Sequence, residues 1–402
     1  MFQFKDASFN FKHFGIKTLQ TLQTLQTFQT LQTLNFSTLS ISKMLRYTLI
    51  RLMYGILVLF GVVTLIFFLF NVLPGDPARM MLGQRADITS VEAINRDLGR
   101  DKPLVVQYLS FLNDVSPLSI HTIEEKTSAF YFDTEKYSSA IQILSFGNST
   151  VVVKKPYLRR SYQSKRPVSE ILAEAFIPTM VLATVAMIVA SLIGLVLGIF
   201  SAMNKDGWFD RISLIVSILG MSLPSFFAAI LIAWLFAYVL ADYTGLSMFG
   251  SLYTVDDFGR GEYIDYKNLI LPAVTLAIRP LAIITELTRS SMLDVMSQDY
   301  IRTAKAKGLS MYKIITRHAL KNALNPVVTA VSGWFASLMA GAVFVEYIFD
   351  WKGVGVVIVD ALEKYDFPVV MGAVLFISVL LIIINIFADL IYGILDPRIR
   401  YS

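Results

Sequence analysis

The side chains that could carry out chemistry are few, and their spacing excludes most kinds of site. The histidines His13, His121 and His318 are far apart, and no HExxH or similar cluster gathers them into a zinc site. Cysteine is absent, so neither a disulfide framework nor a thiolate metal site can form. The chain has no GxxxxGKS/T phosphate loop, and "GVGVV" at 353–357 lacks the third glycine of a dinucleotide site. The sequence therefore predicts no cofactor and no ATP hydrolysis by this chain.

Two ionisable residues, Arg279 and Glu286, stand inside a long apolar segment. An ionisable group in hydrocarbon is costly unless it meets water or a partner. A separation of seven residues puts both on one face of a helix but about 10 Å apart along its axis, too far for a direct pair. We expect Arg279 to face a subunit interface or a water-filled cavity. Alternatively, Pro280 breaks the helix and Arg279 reaches water near a helix end.

The most polar long stretch of the C-terminal half is "IRTAKAKGLSMYKIITRHALKNALNP", at 301–326, which is basic and rich in helix-forming residues. It predicts a helix over 299–307, a turn at Gly308 and a second helix, capped by Ser310, toward Asn325–Pro326. Two short helices separated by a turn form a rigid protrusion, which we call the knuckle (residues 299–321). Taken alone, these residues fit docking into a partner's cleft or an ordinary basic loop lying on anionic lipid.

The elements that position these residues must lie in a membrane. Hydrophobic residues make up 55% of the 402 residues and charged residues 16%, and the mean hydropathy is +0.60, which is too apolar for a soluble domain. A membrane helix needs roughly 20 apolar residues. Six segments meet this requirement and predict an all-α bundle of six transmembrane helices. They are 48–70, 178–202, 212–240, 269–291, 324–349 and 368–395.

The basic residues of the short loops predict the orientation. Thirteen Lys and Arg residues lie on one side of the six segments, against Arg260, Lys267, Lys352 and Lys364 on the other. Because basic loops stay in the cytoplasm, we expect the knuckle and both termini there.

The sequence predicts four regions along the whole chain. We expect residues 1–43, with the repeat "TLQTLQTFQTLQTLN", to be a low-complexity extension rather than a functional arm, with Met44 as an alternative start. Residues 44–71 form the first transmembrane helix. Residues 72–177 form an extracytoplasmic segment, with an insertion at about 113–156 that contains the strand-like "STVVVKK". Residues 178–402 form a core with five transmembrane helices and the loop 293–323.

The stretch "QDYIRTAKAKGLSMYKIITRHALKNALNPVVT" resembles the cytoplasmic signature loop of binding-protein-dependent ABC importer permeases. The family pattern is Glu-Ala-Ala, three residues, Gly, nine residues, then Ile-x-Leu-Pro. This sequence departs from that pattern at four positions, and the residues found there resemble those of the dipeptide, oligopeptide and nickel group. The four residues are Arg302, Thr303, His318 and Lys321. "LTRSSMLDV", "GAVFVEYIF", "LPGDPA" and "GILDPR" resemble the same group, so that the similarity covers about 44–112 and 157–402.

The resemblance implies the fold, the partners and a transport function. The fold would be the six-helix bundle of ABC importer permeases, with an external insertion between helices 1 and 2. The chain would import peptides or similar small solutes across a bacterial inner membrane. Its partners would be a second permease subunit, normally a different chain so that the pair is a heterodimer, two cytoplasmic ATPase subunits and an extracytoplasmic solute-binding protein. No nucleic-acid partner is expected.

In that family the signature loop forms a coupling helix in a groove of an ATPase subunit. Carried over by position, the ATPase-coupling residues are Arg302, Thr303, Ala304, Lys305, Gly308, Leu309 and Ser310, with His318 and Leu320 bracing the knuckle against the bundle. Arg279, Glu286 and Pro224 would line the translocation pathway, Pro224 by kinking its helix.

Two other function classes remain. A secondary transporter or channel, independent of ATP, is also a helical bundle with charged pathway residues, but it would not need a docking knuckle. An intramembrane hydrolase would need a nucleophile and a base together, and no histidine or paired aspartate lies in a predicted span.

Overall fold

Helices dominate the fold, as the sequence predicts. The computed structural model describes residues 46, 48–71, 92, 95, 101–123, 128–134, 136–137, 140–256, 261–339 and 342–395. Contacts divide the chain into two units, of which the second is Leu57–Asp396. The packing and the sites described below all lie within the second unit.

Long apolar helices form the frame of the described chain. Four of them are long and apolar enough to cross a membrane: α1 (Thr48–Asn71), α3 (Val168–Met203), α7 (Lys267–Met296) and α13 (Phe367–Leu395), which qualifies over Phe367–Asp389. A fifth candidate is a broken span, α4 (Trp208–Ser222) followed by α5 (Ser225–Trp234) and a π-helical turn (Leu235–Val239), bent by 109°. Among the described residues the count is therefore four or five, and six remains a prediction.

Two of the predicted spans differ from the structure. The segment 212–240 is not one helix, because Pro224 precedes α5 in an extended conformation and starts a new helix there. The segment 324–349 begins earlier, in α10 (Leu320–Met339), and its last residues form the separate short helix α11 (Val343–Ile348). Pro326 lies inside α10, so the expected end of the knuckle's second helix at Asn325–Pro326 is wrong.

The core lies where α3 packs along α7, with α4, α5 and α10 around them. Small residues make this approach possible. A Cβ on Gly198 would lie 2.5 Å from the Cβ of Thr288, and one on Gly194 would lie 3.0 Å from the Leu281 carbonyl oxygen. The two glycines are four residues apart on α3, the small-xxx-small spacing that the sequence suggested for close helix packing.

A small α/β module follows α1. It consists of α2 (Leu104–Val115) and a three-stranded antiparallel sheet of β1 (Leu118–Thr122), β2 (Ile141–Phe146) and β3 (Ser149–Val153), with β3 in the centre. The strand predicted in "STVVVKK" is confirmed as β3. Thr64 on α1 shares a 2.7 Å hydrogen bond with Tyr108 on α2, which joins the module to the first span.

The remaining elements are short. They are α6 (Ala241–Thr244), a hairpin of β4 (Tyr253–Val255) and β5 (Glu262–Ile264), α8 (Asp299–Ala306), α9 (Met311–Lys313) with a π-helical turn (Ile314–Ala319), and α12 (Val354–Glu363).

Candidate functional site: the knuckle and the polar face of α7

The knuckle has the predicted shape of helix, turn and helix. α8 ends in a left-handed turn at Gly308, which has φ = +74°. The Gly308 N–H donates to the Lys305 carbonyl at 3.0 Å, and the Leu309 N–H donates to the Ala304 carbonyl at 3.3 Å. This pair of bonds is the Schellman motif, in which glycine is favoured because other residues strain in the left-handed conformation. Gly308 is therefore required by the backbone itself.

The second helix starts at Ser310. Its backbone is extended, as at an N-cap, and its carbonyl accepts the Ile314 N–H at 3.0 Å, but its side chain makes no capping bond. The helical path then runs through α9 and the π-helical turn directly into α10. The knuckle is thus continuous with a long helix of the bundle, so that a displacement of the knuckle is applied directly to that helix.

Buried apolar residues anchor the knuckle. Ile301 is fully buried and Ala304 is 5% exposed, and both pack in a cluster with Met292 of α7 and Ala202 of α3. Leu309 packs against the same cluster, which supplies the apolar contact that accompanies a Schellman motif. Ala304, placed by resemblance in the ATPase contact, therefore faces this chain's interior.

The outward surface of the knuckle is basic. The exposed residues include Arg302, Thr303, Lys305, Gly308 and Ser310. Arg302 makes a 3.4 Å ion pair with Asp299, but both side chains are largely exposed, so the pair adds little stability. The residues predicted to brace the knuckle, His318 and Leu320, are half-buried, and Leu320 packs against the buried cluster. The buried half of the knuckle thus holds it in place and leaves an exposed cationic face.

Arg279 and Glu286 lie on the outside of this single chain. α7 runs unbroken from Lys267 to Met296 with Pro280 inside it, so the alternative that Pro280 breaks the helix is wrong. Both side chains are exposed, whereas the opposite faces of α7 are buried. The Arg279 guanidinium lies 5.9 Å from the ring centre of Trp334 on α10. Pro224 is exposed at the break between α4 and α5, both of which pack against α7.

A buried ion pair near the knuckle is a feature that the sequence did not single out. Arg289 of α7 donates from Nε and Nη2 to the two carboxylate oxygens of Asp210, at 2.5 and 2.6 Å. Ser201 of α3 also donates to Asp210, and the Asp206 N–H donates at 2.9 Å. Asp210 is 1% exposed, and this two-pronged pair with added donors is the geometry that offsets the cost of burying charge. The ends of α3, α4 and α7 are thereby fastened together beside the knuckle.

A second buried carboxylate fastens the other end of α3. Glu346 on α11 is fully buried and accepts from the Thr179 hydroxyl at 2.8 Å and from the Gly355 N–H at 2.7 Å. The Trp351 indole N–H donates to the Pro178 carbonyl at 3.1 Å. Glu346 lies inside the predicted span 324–349. A carboxylate inside a span needs a partner, so the sequence could have indicated a buried hydrogen-bond network there. Its partner Thr179, 167 positions earlier, could not be read from spacing.

No group of three or more His, Cys, Asp or Glu side chains suited to a metal occurs among the described residues. Arg279 and Glu286 share a face of α7, and the exposed knuckle residues from Arg302 to Ser310 lie on α8 and on the turn that follows it. Both features belong to helices joined through the buried cluster around Met292. The contacts described at these two features are those of packing and charge.

Comparison with known proteins places this arrangement in a family. The sequence profile described as "Binding-protein-dependent transport system inner membrane component" matches residues 194–401. The N-terminal profile of such membrane components matches residues 44–129, which includes the first part of the segment 113–156 that we interpreted as an insertion.

Relatives of known function match over nearly the whole chain. The dipeptide transport system permease protein DppB of Alkalihalophilus pseudofirmus is 33% identical over 374 residues, covering 89% of this chain and all of that protein. The glutathione transport system permease protein GsiC of Pectobacterium atrosepticum, and that of Escherichia coli K12, are 34% identical over 359 residues with the same coverage. A solved structure of the MetNI methionine ABC transporter, in inward-facing conformations, matches 57% of this chain and 97% of its own chain, at 15% identity and a TM-score of 0.46.

Proposed function

Because the chain belongs to the family of binding-protein-dependent transport system inner membrane components, as a permease subunit and not an enzyme, we propose that the knuckle is its coupling element. In this proposal the exposed face of the knuckle sits in a groove of a cytoplasmic ATPase subunit. Two ATPase subunits, a second and different permease chain and an extracytoplasmic solute-binding protein complete the importer. The knuckle and both termini then lie in the cytoplasm.

One observation carries this proposal. The knuckle is anchored from within by Ile301 and Ala304 and is shaped by a Schellman turn, while Arg302, Lys305 and Gly308 remain exposed. A loop that only rested on anionic lipid would need the charges but not a fixed turn or a rigid continuation into α10. ATP-driven closure of the ATPase pair would move the knuckle and shift the bundle between outward-open and inward-open populations.

Co-purification with the ATPase subunits tests the coupling role. Arginine at Gly308 would be strained and would project from the proposed contact, so Gly308→Arg is expected to release the ATPase subunits. Gly245→Arg is a matched control, because Gly245 also has a left-handed backbone, with φ = +60°, and open space around its Cβ position, but lies outside the knuckle. Equal loss of the ATPase subunits in both variants would mean that general destabilisation, not docking, explains the result. Cross-linkers on the knuckle that captured only phospholipid would refute the proposal.

The substrate class follows from the relatives. The similar permeases transport a dipeptide and glutathione, both short peptides, so we assign short peptides or similar small solutes to this importer. The exposed polar face of α7 supports a pathway, because Arg279 and Glu286 in contact with lipid would be costly. We therefore place this face on the translocation path or against the second permease subunit, with Pro224 at the bend beside it.

Uptake by the reconstituted importer tests the pathway role. Arg279→Met is expected to impair ATP-dependent peptide uptake while the subunits still assemble, since within the described part of the chain the exposed guanidinium only approaches the half-buried Trp334 ring, at 5.9 Å. Normal uptake by this variant would exclude Arg279 from the pathway.

A further inference from the structure

A cavity of about 410 Å³ lies beside the α/β module, away from the knuckle, and we call it the basic cavity. Its wall is formed by the end of α1, by α2 and by the segment that leads into α3. Among the described residues, five cationic side chains line it, together with the carboxylate of Asp114. The cationic residues are Lys102, Lys136, Arg159, Arg160 and Lys165.

The Asp114 carboxylate already has hydrogen-bond partners in the cavity wall. Asp114 is 2% exposed and accepts from Lys136 Nζ at 2.8 Å and from the Tyr137 hydroxyl at 2.6 Å, while Arg159 Nε lies 3.5 Å away. Asp114 therefore orients Lys136 and Arg159, and within the described lining it is one negative charge against the four positive charges of Lys136, Arg159, Arg160 and Lys165. A pocket with such an excess of one sign concentrates ions of the opposite sign.

The backbone at the cavity wall is held in an unusual conformation. Arg159 and Lys165 have φ of +66° and +60°, a region that residues other than glycine rarely adopt. Such strain persists only where surrounding contacts impose it, and it is found preferentially at binding sites. Backbone hydrogen bonds hold both residues, because the Lys165 N–H donates to the Ser161 carbonyl and the Arg159 carbonyl accepts from the Val168 N–H, each at 3.1 Å. The loop between them is held by the buried Asp366, which accepts from the Ser161 hydroxyl at 2.5 Å and from the Tyr162 N–H at 2.9 Å.

The cavity also has neutral polar side chains and sufficient room. Asn71, Gln107, Ser110 and Tyr157 are part of its lining. A volume of about 410 Å³ is many times the roughly 30 Å³ share of one water molecule, so the space can hold a polyatomic anion with some of its water. Phe67 and Asn71, at the end of α1, place the cavity at the level where a span leaves the hydrocarbon.

We propose that the basic cavity binds a phosphate group. Arginine and lysine are the side chains that proteins use for such groups, arginine by two-pronged hydrogen bonds and lysine as a point charge. The phosphate can come from the headgroup of an anionic phospholipid or from a soluble phosphate. The site is independent of the coupling role proposed for the knuckle.

Binding of inorganic phosphate tests the soluble source. The full-length chain in a neutral detergent is titrated with phosphate at constant ionic strength, and heat release is measured. Saturable binding is expected, and Arg160→Gln/Lys165→Gln should weaken it by about tenfold for each cation removed. Both side chains are exposed, so these changes spare the buried Asp114 contacts. If the double variant is unstable, the two single variants replace it.

The matched control removes the same charge from the same region. Lys155→Gln/Arg166→Gln alters two exposed cations, neither of which lines the cavity. The control should bind phosphate within about twofold of the unsubstituted chain, since screened charges at a distance contribute little. Equal weakening by both double variants would overturn the proposal, because it would show a general charge effect.

Lipid discs test the headgroup source. The chain is placed in discs of phosphatidylcholine with or without phosphatidylglycerol, and retained lipids are counted by native mass spectrometry. Retention of phosphatidylglycerol by the unsubstituted chain and by the control, but not by Arg160→Gln/Lys165→Gln, would support the site with a lipid as its ligand. Absence of both saturable phosphate binding and selective phosphatidylglycerol retention would overturn it.

Discussion

The turn at Gly308 yields the sharpest prediction for the knuckle. At φ = +74°, a residue with a Cβ costs roughly 1–2 kcal/mol more than glycine. A Cβ at this position meets nothing within 4 Å in this chain, so steric overlap adds nothing to that cost. Gly308→Ala should therefore shift the local opening equilibrium of the turn by about 5- to 30-fold. Gly308→Asn should cost less, because asparagine tolerates the left-handed conformation better than alanine.

Hydrogen exchange of the Leu309 amide measures this shift in the chain itself. That amide donates to the Ala304 carbonyl, so it exchanges only when the turn opens. Protection is expected to fall in the order glycine, asparagine, alanine at position 308. Unchanged protection in Gly308→Ala would refute the argument that the left-handed turn requires glycine.

ATP-driven uptake by the reconstituted importer distinguishes two reasons for a glycine at position 308. One is the left-handed backbone conformation, and the other is close approach of the partner subunit. Near-normal uptake by Gly308→Asn but not by Gly308→Ala would show that only the backbone conformation matters. Loss of uptake in both variants would show that the partner approaches too closely for any side chain. Normal uptake in both would contradict a role for Gly308 in coupling.

Three further changes examine the packing, the buried ion pair and the α/β module. Gly198→Ala should lower the free energy of unfolding by about 1–3 kcal/mol, because its Cβ would lie 2.5 Å from that of Thr288. The control Gly61→Ala, whose Cβ meets nothing within 4 Å, should leave the melting temperature in detergent unchanged. Equal melting temperatures of the two variants would contradict this. Arg289→Gln removes the ion-pair partner of the buried Asp210 carboxylate and should lower the free energy of unfolding by about 3–5 kcal/mol. Arg289→Lys keeps the charge but not the two-pronged contact. If Arg289→Gln lowered that free energy no more than Arg289→Lys, the importance of the two-pronged geometry would be contradicted. Burial acts to raise the pKa of the Asp114 carboxyl, but Lys136 and Arg159 hold that pKa below its ordinary value of 3.8. The ionised carboxylate therefore stabilises the fold above pH 3.8, and this stabilisation is lost as the pH falls through the lower pKa of the folded state. Hydrogen exchange in β3 should therefore increase at acid pH, and an equal increase in Asp114→Asn would contradict this origin.

The knuckle could be predicted in detail because its signals are local. Gly308, the helix formers before it and Ser310 after it are within a few residues of one another, and turn chemistry depends on such neighbours. The end of its second helix was misjudged because Pro326 suggested a break. In the structure Pro326 lies in the early part of α10, and the helix continues beyond it to Met339. The π-helical turn precedes α10.

The spans were predicted as apolar lengths, and length alone does not show a bend. Pro224 was expected to kink a helix, but the chain instead starts a new helix there at 109° to the one before. The buried contacts were beyond prediction for a different reason. Asp210 and Arg289 are 79 residues apart, and nothing in either local sequence indicates which opposite charge will be its partner.

The structure connects the knuckle to the polar face of α7 by rigid elements. Ile301 and Ala304 pack against Met292, which belongs to the same unbroken helix as Arg279 and Glu286. Three fixed points keep that helix from moving by itself: the Asp210–Arg289 pair, and the close contacts of Gly194 and Gly198 with α7. Packed helices respond to a displacement by moving as a body, because interiors at this density do not deform gradually. A force applied to the knuckle would therefore move α3 and α7 together, and the charged face of α7 would move with them.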